Sequence, residues 1–195
     1  MANKVLRTPL DGTPDQIVLA DHATDFSPTG ANDLRITTDG TFDLDVQMDL
    51  TSLANGSYRQ SAKFDFGSKF GIEYFARLAV EIAATPTAGN TIGLYLAYSD
   101  VATAGTGNAA GVSGSDAAYA GYSSNADAAI LQLDLVSLFT VTAQATTTVQ
   151  VIDGWTFRPK ARYASAVILN ESGAALHSDA VEMHIVLNPL VDEIQ

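Results

Sequence analysis

The stretch T-F-D-L-D-V-Q-M-D-L, from Thr41 to Leu50, alternates apolar and polar side chains without a break. Side chains on a β-strand point to opposite faces with a period of two, so this run predicts a strand with one face in a core and one in water. A longer alternation runs from Ile72 to Ile82, where a helix competes because Ala, Leu, Glu and Arg favour helices. The unbroken period of two favours a strand there as well.

Strands of this kind recur along the chain and are separated by dipeptides that favour tight turns, such as Asn55-Gly56 and Asp153-Gly154. Asn55-Gly56 is expected to close a hairpin between the Thr41 strand and the next one. About nine or ten strands are expected and no convincing amphipathic helix, although residues 131–138 could instead form one or two helical turns. The pattern predicts an all-β protein, specifically an antiparallel β-sandwich with a jelly-roll-like topology.

Two segments depart from the strand pattern. Residues 1–15 contain Pro9 and Pro14 and no periodicity, so we expect an extended N-terminal arm followed by one sandwich domain over residues 16–195. Residues 99–129 are dominated by Ala, Gly and Ser, and they predict a long loop inserted in that domain. Loops of this length are uncommon in compact domains and are usually functional or disordered. We therefore expect the monomer to fold without this loop.

The composition limits the classes of partner. The chain has 195 residues, with 22 Asp or Glu and 10 Lys or Arg, and its formal net charge is -12. This charge repels nucleic acids and anionic membranes, so neither is an expected partner. Charged residues make up only 16% of the chain, and a surface of small neutral residues suits contact with other protein copies. We find no secretory signal and no run approaching the roughly 20 apolar residues of a membrane span.

Residue chemistry offers no strong catalytic, cofactor or metal site. Four acidic residues crowd the region of the first strand: Asp39, Asp43, Asp45 and Asp49. They do not match the D-x-[DN]-x-[DN]-G pattern of a calcium loop, so a solvated strand face is favoured. The three histidines lack metal-ligand spacing, and the chain has no cysteine. A carboxylate pair for glycoside cleavage stays open because nothing selects the pair. We expect a non-enzymatic protein without cofactor or metal.

A cluster of positive charges suggests an interface. Arg158, Lys160 and Arg162 are two residues apart, which places three positive charges on one face if the strand continues through Pro159. In an acidic protein this patch could dock on an acidic partner or on the Asp-rich strand of another copy. Solvated side chains that discourage pairing of sheet edges explain the pattern equally well. The patch is therefore a candidate interface with an open alternative.

Further interface candidates lie in the arm and in the loop: Lys4, Arg7, Tyr119 and Tyr122. The two tyrosines could anchor a protein partner or stack on a sugar, since aromatic side chains combine a flat apolar surface with a polar group. Trp155 has the same chemistry, but its position beside a turn favours a role in covering the core.

Two stretches resemble small structural proteins of tailed bacteriophages. They read A-T-P-T-A-G-N-T-I-G-L-Y-L-A-Y-S-D from Ala84 to Asp100, and F-R-P-K-A-R-Y-A-S-A-V-I-L-N-E-S-G-A-A-L from Phe157 to Leu176. In those proteins P-T-A-G precedes a strand, and N-x-[ST]-G-x-A-L joins the last two strands. The likeness covers roughly the C-terminal two-thirds of the chain. It implies a β-sandwich virion protein, made in the host cytoplasm, with no catalytic residue in these motifs.

The resemblance implies first a capsid decoration, or cement, protein that binds the major capsid protein and neighbouring copies of itself as a homo-oligomer. Residues 1–15 and 99–129 are expected to supply the contacts, because modest interfaces are multiplied over a symmetric shell. A tail, head-fibre or adaptor component is the alternative. A third hypothesis is a carbohydrate-binding β-sandwich module, which exposed aromatic residues and carboxylates in a cleft would support.

Overall fold

The computed structural model describes residues 16–28, 35–37, 43–68, 70–146 and 148–190, and the backbone alone of residues 5–6 and 193–194. Strands dominate this part of the chain. In chain order they are β1 (Val5–Leu6), β2 (Ile17–Ala20), β3 (Leu44–Gln47), β4 (Ser57–Gln60), β5 (Phe64–Asp65), β6 (Glu73–Val80), β7 (Thr91–Ser99), β8 (Ala117–Ala118), β9 (Asp134–Thr140), β10 (Gln150–Phe157), β11 (Tyr163–Glu171), β12 (His184–Leu190) and β13 (Glu193–Ile194). The helical elements are α1 (Ala126–Ala129) and a 3-10 turn over Ile130–Gln132.

Two sheets pack face to face around one main core. The first sheet has the strand order β10-β6-β12-β2-β3, and the second sheet has β8-β4-β11-β7-β9 with β5 also paired to β11. Among the described strands β2 and β3 pair in parallel, and the other pairs are antiparallel. The predicted β-sandwich is confirmed. The chain crosses repeatedly between the two sheets, and the jelly-roll-like topology stays a prediction.

Side chains on the inner faces of both sheets form the main core. Tyr74 and Leu78 alternate with outward residues along β6 and are buried, which confirms the strand over the competing helix. In the Thr41 stretch, β3 ends at Gln47, yet Met48 and Leu50 continue the alternation and are buried. Thr41 and Phe42 lie outside the described residues. The period of two therefore marks the core-facing side chains even beyond the hydrogen-bonded strand.

The hairpin expected at Asn55-Gly56 is wrong. Gly56 does adopt a left-handed backbone conformation, with φ of 75°, as a tight turn requires. However, β3 belongs to the first sheet and β4 to the second sheet, so the turn carries the chain across the core and not back along one sheet. A local turn signal fixes the direction of the chain but not the sheet that the next strand joins.

The outer face of the first sheet is covered by residues between β2 and β3. Four small or β-branched residues on that face are buried outside the main core: Val18, Ala20, Ala79 and Val186. Over them lie His22, Phe26 and Ile36. The Phe26 ring centroid is 5.0 Å from that of His184, and the Ile36 amide donates to His184 Nε2 at 3.1 Å. This segment encloses His184 completely.

Candidate interaction surfaces

The insertion, residues 99–129, covers the outer face of the second sheet. It forms a second apolar cluster with outward residues of β7 and β11, whose buried members are Ala97, Ala110, Val112, Tyr119, Ala129, Ile130, Val167 and Leu169. The hydroxyl of Tyr119 donates to the Ala110 carbonyl at 2.8 Å, inside the insertion. The insertion is therefore a packed part of the fold. Its only regular elements in the described residues are the short β8 and α1, so it is a long loop that packs on the sheet.

Glycine is abundant in the insertion because backbone segments pass close to one another. At Gly114, whose φ is 73°, an added Cβ would lie 2.0 Å from the Ala104 carbonyl oxygen. At Gly121, with φ of 65°, it would lie 2.7 Å from the Asn125 carbonyl oxygen. Both positions combine a left-handed conformation with backbone contact, which only glycine accommodates. A glycine-rich composition is often typical of disordered segments. In this insertion it results from the close packing of backbone segments.

The ammonium group of Lys63 fastens the start of the insertion. Its Nζ donates to the carbonyl oxygens of Val101, Thr103 and Thr106 at 2.9, 2.8 and 2.8 Å. The Ser99 hydroxyl oxygen, 3.2 Å from Nζ, is a fourth acceptor. Several oxygens around one compact positive charge resemble the environment of a bound cation, with the lysine supplying the charge.

Asp116 ties the other end of the insertion to both sheets. Its Oδ1 accepts from Arg59 Nε of the second sheet at 2.6 Å, and its Oδ2 accepts from Gln47 Nε2 of the first sheet at 3.3 Å. The bond to Asp116 raises the pKa of Arg59. Tyr58 adds a third attachment by donating to Asp127 Oδ1 at 2.6 Å.

The interface residues predicted in the arm and insertion are placed very differently. Tyr119 is only 4% exposed, so a partner cannot reach its ring without unpacking the insertion. Tyr122 is 51% exposed and stays a candidate. Lys4 and Arg7 lie outside the described residues. Of the predicted arm, the structure shows the backbone of Val5 and Leu6 paired with β13.

The three predicted basic residues are all exposed, but two already have carboxylate partners. Lys160 Nζ lies 2.5 Å from Asp134 Oδ1. Arg162 binds both oxygens of Asp65, with Nε 2.9 Å from Oδ1 and Nη2 2.8 Å from Oδ2. Within the described part of the chain, Arg158 forms no ion pair. The stretch is not a continuous strand, and Arg158 is the member whose charge is most available to a partner.

Four of the seven large apolar side chains that are exposed in the described residues lie on β9, on β10 or on the turn before β9. We call them the edge surface: Leu131 at 83% exposed, Trp155 at 48%, and Leu135 and Val151 each at 39%. The Trp155 amide donates to the Ser137 hydroxyl at 3.0 Å, which joins the edges of the two sheets. The expectation that Trp155 covers the core is wrong. Its ring lies at the seam between the sheets, where β10 is interrupted by a bulge.

The two motifs that carry the phage resemblance meet at one end of the sandwich. The Thr87 amide of P-T-A-G donates to the Ser172 carbonyl of N-E-S-G at 3.0 Å. The Asn170 side chain donates to the carbonyls of Leu53 and Ala174, both at 2.9 Å. The motifs thus form one structural unit that closes this end. They are turn motifs with a packing role.

A polar notch of about 430 Å³ opens beside these turns. Its lining residues are Asn55, Gly56, Gly89, Asn90, Thr91 and Glu171. Asn55 Oδ1 accepts from the Gly173 amide at 2.7 Å, which leaves the amide nitrogen of Asn55 to face the notch. Sequence patterns did not identify this site, because its residues come from three separate turns and strand ends.

The described residues also bear on metal binding and on membrane insertion. No group of three or more His, Asp or Glu is arranged there to hold a metal ion. In the same residues, no helix is long and apolar enough to cross a membrane. Comparison of the chain with protein-family models, with curated proteins and with solved structures gives no match.

Proposed function

We propose that this protein is a non-enzymatic structural protein of a bacteriophage virion, and specifically a capsid decoration protein. It is made in the host cytoplasm and binds the major capsid protein and neighbouring copies of itself. The edge surface carries this proposal, and the resemblance of the P-T-A-G and N-E-S-G stretches directs it to virion proteins. A tail, head-fibre or adaptor component is the alternative.

The edge surface suits a protein partner because of its chemistry and position. The insertion and the segment between β2 and β3 cover the outer faces of the two sheets, whereas the edge surface keeps large apolar groups in water. Clustered exposed apolar side chains mark protein interaction sites, and tryptophan is enriched among the residues that contribute most to binding. Trp155 is therefore the expected anchor.

Charged groups border the apolar part of this surface. Asp134 precedes Leu135 directly and pairs with Lys160, which brings the basic stretch next to the start of β9. Arg158 follows β10 and has no ion-pair partner in the described residues. An apolar centre with a charged rim is the usual anatomy of a protein interface. A partner with a carboxylate opposite Arg158 fits this arrangement.

Sedimentation of the purified protein, alone and with undecorated capsids, tests the proposal. We expect co-sedimentation at a saturating stoichiometry, and we expect Trp155→Ala to weaken it by about 2 kcal/mol, or roughly 30-fold. Leu190→Ala is the control, since it removes an exposed apolar side chain outside the edge surface that is not an interface candidate. Absence of co-sedimentation refutes decoration. A soluble ring or trimer without capsid binding favours the tail, head-fibre or adaptor alternative.

A second pair of variants separates the basic residues. Arg158→Ser is expected to weaken capsid binding and to reduce its dependence on salt, because this charge is free to meet a partner. Arg162→Ser is expected to change binding less, because Asp65 already neutralises that guanidinium. Equal effects of the two variants, measured by sedimentation across a range of salt concentrations, would contradict the assignment of Arg158 to the interface.

A further inference from the structure

We propose that the polar notch, together with Tyr58 and Tyr95, binds a neutral saccharide. This site lies on the outer face of the second sheet, at the start of β7 and the end of β11, and its residue Tyr95 pairs with Leu135 of the edge surface. The inference does not depend on the proposed function, since a sugar-binding module could be carried by a virion protein or by another kind of protein.

Tyr95 supplies a flat ring beside the notch. It projects outward from β7, and its ring lies back over Gly93, with Cε2 2.8 Å from where a Cβ of Gly93 would be. Gly93 is two residues from Thr91, which lines the notch, so the ring leans along its own strand toward the notch. Tyr95 is only half-buried. One ring face rests on the backbone of Gly93, and the residue keeps surface in contact with solvent.

Tyr58 lies on β4, on the other side of β11 from Tyr95, and its ring packs against Tyr119 of the insertion. It pairs with Leu169 in β11, and Gly56, two residues earlier in the chain, lines the notch. Burial raises the pKa of Tyr95, and the carboxylate of Glu171 raises it further. The same carboxylate contributes to the raised pKa of Tyr58, after burial and Asp127. Glu171 lines the notch and lies in β11, the strand between those of Tyr58 and Tyr95.

The polar groups of the notch match the hydroxyls of a sugar. A carboxylate accepts hydrogen bonds, whereas a side-chain amide both donates and accepts, so the two together satisfy neighbouring hydroxyl groups. Glu171 and Asn90 are suited to this role because neither side chain has a hydrogen-bond partner among the described residues. Sugars also present apolar C–H faces, which pack on aromatic rings such as that of Tyr95.

Other classes of ligand fit less well. An anion would meet the Glu171 carboxylate in a chain of net charge -12, so phosphate or carboxylate groups are disfavoured. A divalent cation needs several oxygen ligands, usually with more than one carboxylate, and the notch lining contains a single acidic residue. The volume of about 430 Å³ is in the lower part of the range for small-molecule sites, which suits one or two sugar units.

Saturation-transfer NMR with four neutral probes tests the proposal: maltohexaose, cellohexaose, xylohexaose and hexa-N-acetylchitohexaose. We expect at least one probe to bind with an affinity on the order of millimolar, as is usual for a small open site. Tyr95→Ala is expected to weaken binding by about tenfold or more, whereas Tyr95→Phe retains the ring and most of the binding. Glu171→Ala, at an exposed position, keeps the test valid if Tyr95→Ala does not fold.

Trp155→Ala is the matched control, because it removes an exposed aromatic ring from the edge surface and should leave saccharide binding unchanged. If no probe binds at millimolar concentration, or if Tyr95→Ala and Glu171→Ala bind like the unmodified protein, the saccharide site is refuted. Conversely, Glu171→Ala should co-sediment with capsids normally, because Glu171 pairs with Thr91 at the start of β7, away from Leu135. The two proposals can therefore fail separately, since each has its own variant and its own measurement.

Discussion

The two outer faces of the sandwich are covered in chemically different ways. The insertion on the second sheet is fastened by charged groups, namely the Lys63 ammonium among carbonyl oxygens and the Asp116 carboxylate on Arg59. The segment on the first sheet encloses a neutral histidine, His184, which accepts from the Ile36 amide and bonds the Glu182 carbonyl through Nδ1 at 2.8 Å. The insertion, which is the cover of the second sheet, therefore depends on charged groups. The segment between β2 and β3, which is the cover of the first sheet, depends on a histidine that carries no charge.

The largest effect is expected from removing the insertion. Replacing residues 100–128 by a short Gly-Ser linker would expose Ala97, Val167 and Leu169, which the second cluster buries. Burial of one large apolar side chain contributes about 1.5 to 3 kcal/mol, so we expect a loss of at least about 4 kcal/mol in the free energy of unfolding. Urea unfolding measures it. A variant as stable as the full chain would restore the view that the monomer does not need this loop.

Acid is expected to weaken the cover of the first sheet. Burial lowers the pKa of His184 to about 4 from its ordinary value of 6.5, so between these values the unfolded chain binds a proton more readily than the folded chain. The stability that neutral His184 contributes is present above pH 6.5 and is lost as the pH falls toward 4, up to about 3 kcal/mol.

Urea unfolding at about pH 7 and about pH 4 measures this loss. His184→Gln does not titrate and should lose less stability between the two pH values. His177→Gln is the matched control because His177 is more exposed and is not enclosed by the cover. If all three proteins lose the same stability on acidification, His184 is not the group responsible.

A smaller effect is expected at Lys63. Lys63→Met keeps most of the side-chain length but removes the donor, so three carbonyl oxygens of the insertion lose their shared partner. We expect a loss of about 2 kcal/mol, in the range for hydrogen bonds to charged groups. Hydrogen exchange should be faster at residues 99–108 than in the unmodified protein and unchanged around His184. Faster exchange at both covers would show that they open together.

The strand pattern was readable from the sequence because the period of two is a local consequence of backbone geometry. Tyr74 and Leu78 show this, since their alternation alone places them in the core. The parallel pair of β2 and β3 was not readable, because pairing joins segments that are distant along the chain. The same limit explains the hairpin wrongly expected at Asn55-Gly56, where the turn residues do not specify the next sheet.

The candidate sites were readable only in part. Arg158 and Tyr122 were identified correctly as exposed, because charge and polarity are properties of single residues. The role of Lys63 could not be predicted from the sequence. Its acceptors are backbone carbonyls about 40 residues away, and every residue has a carbonyl. Gly93 and Tyr95 carry a pattern that could have indicated the ring position, because residues two apart on a strand share a face and glycine leaves room for a neighbouring ring, but no prediction was drawn from it.

The arrangement at Lys63 also affects how the insertion tolerates a change of surroundings. A loop closed by a calcium or potassium ion opens when the ion is diluted or chelated, because its occupancy depends on concentration. Here the cation is covalently part of the chain, so its local concentration is fixed and no chelator can remove it. The cover over the second sheet should therefore stay closed in distilled water as well as in salt-rich medium.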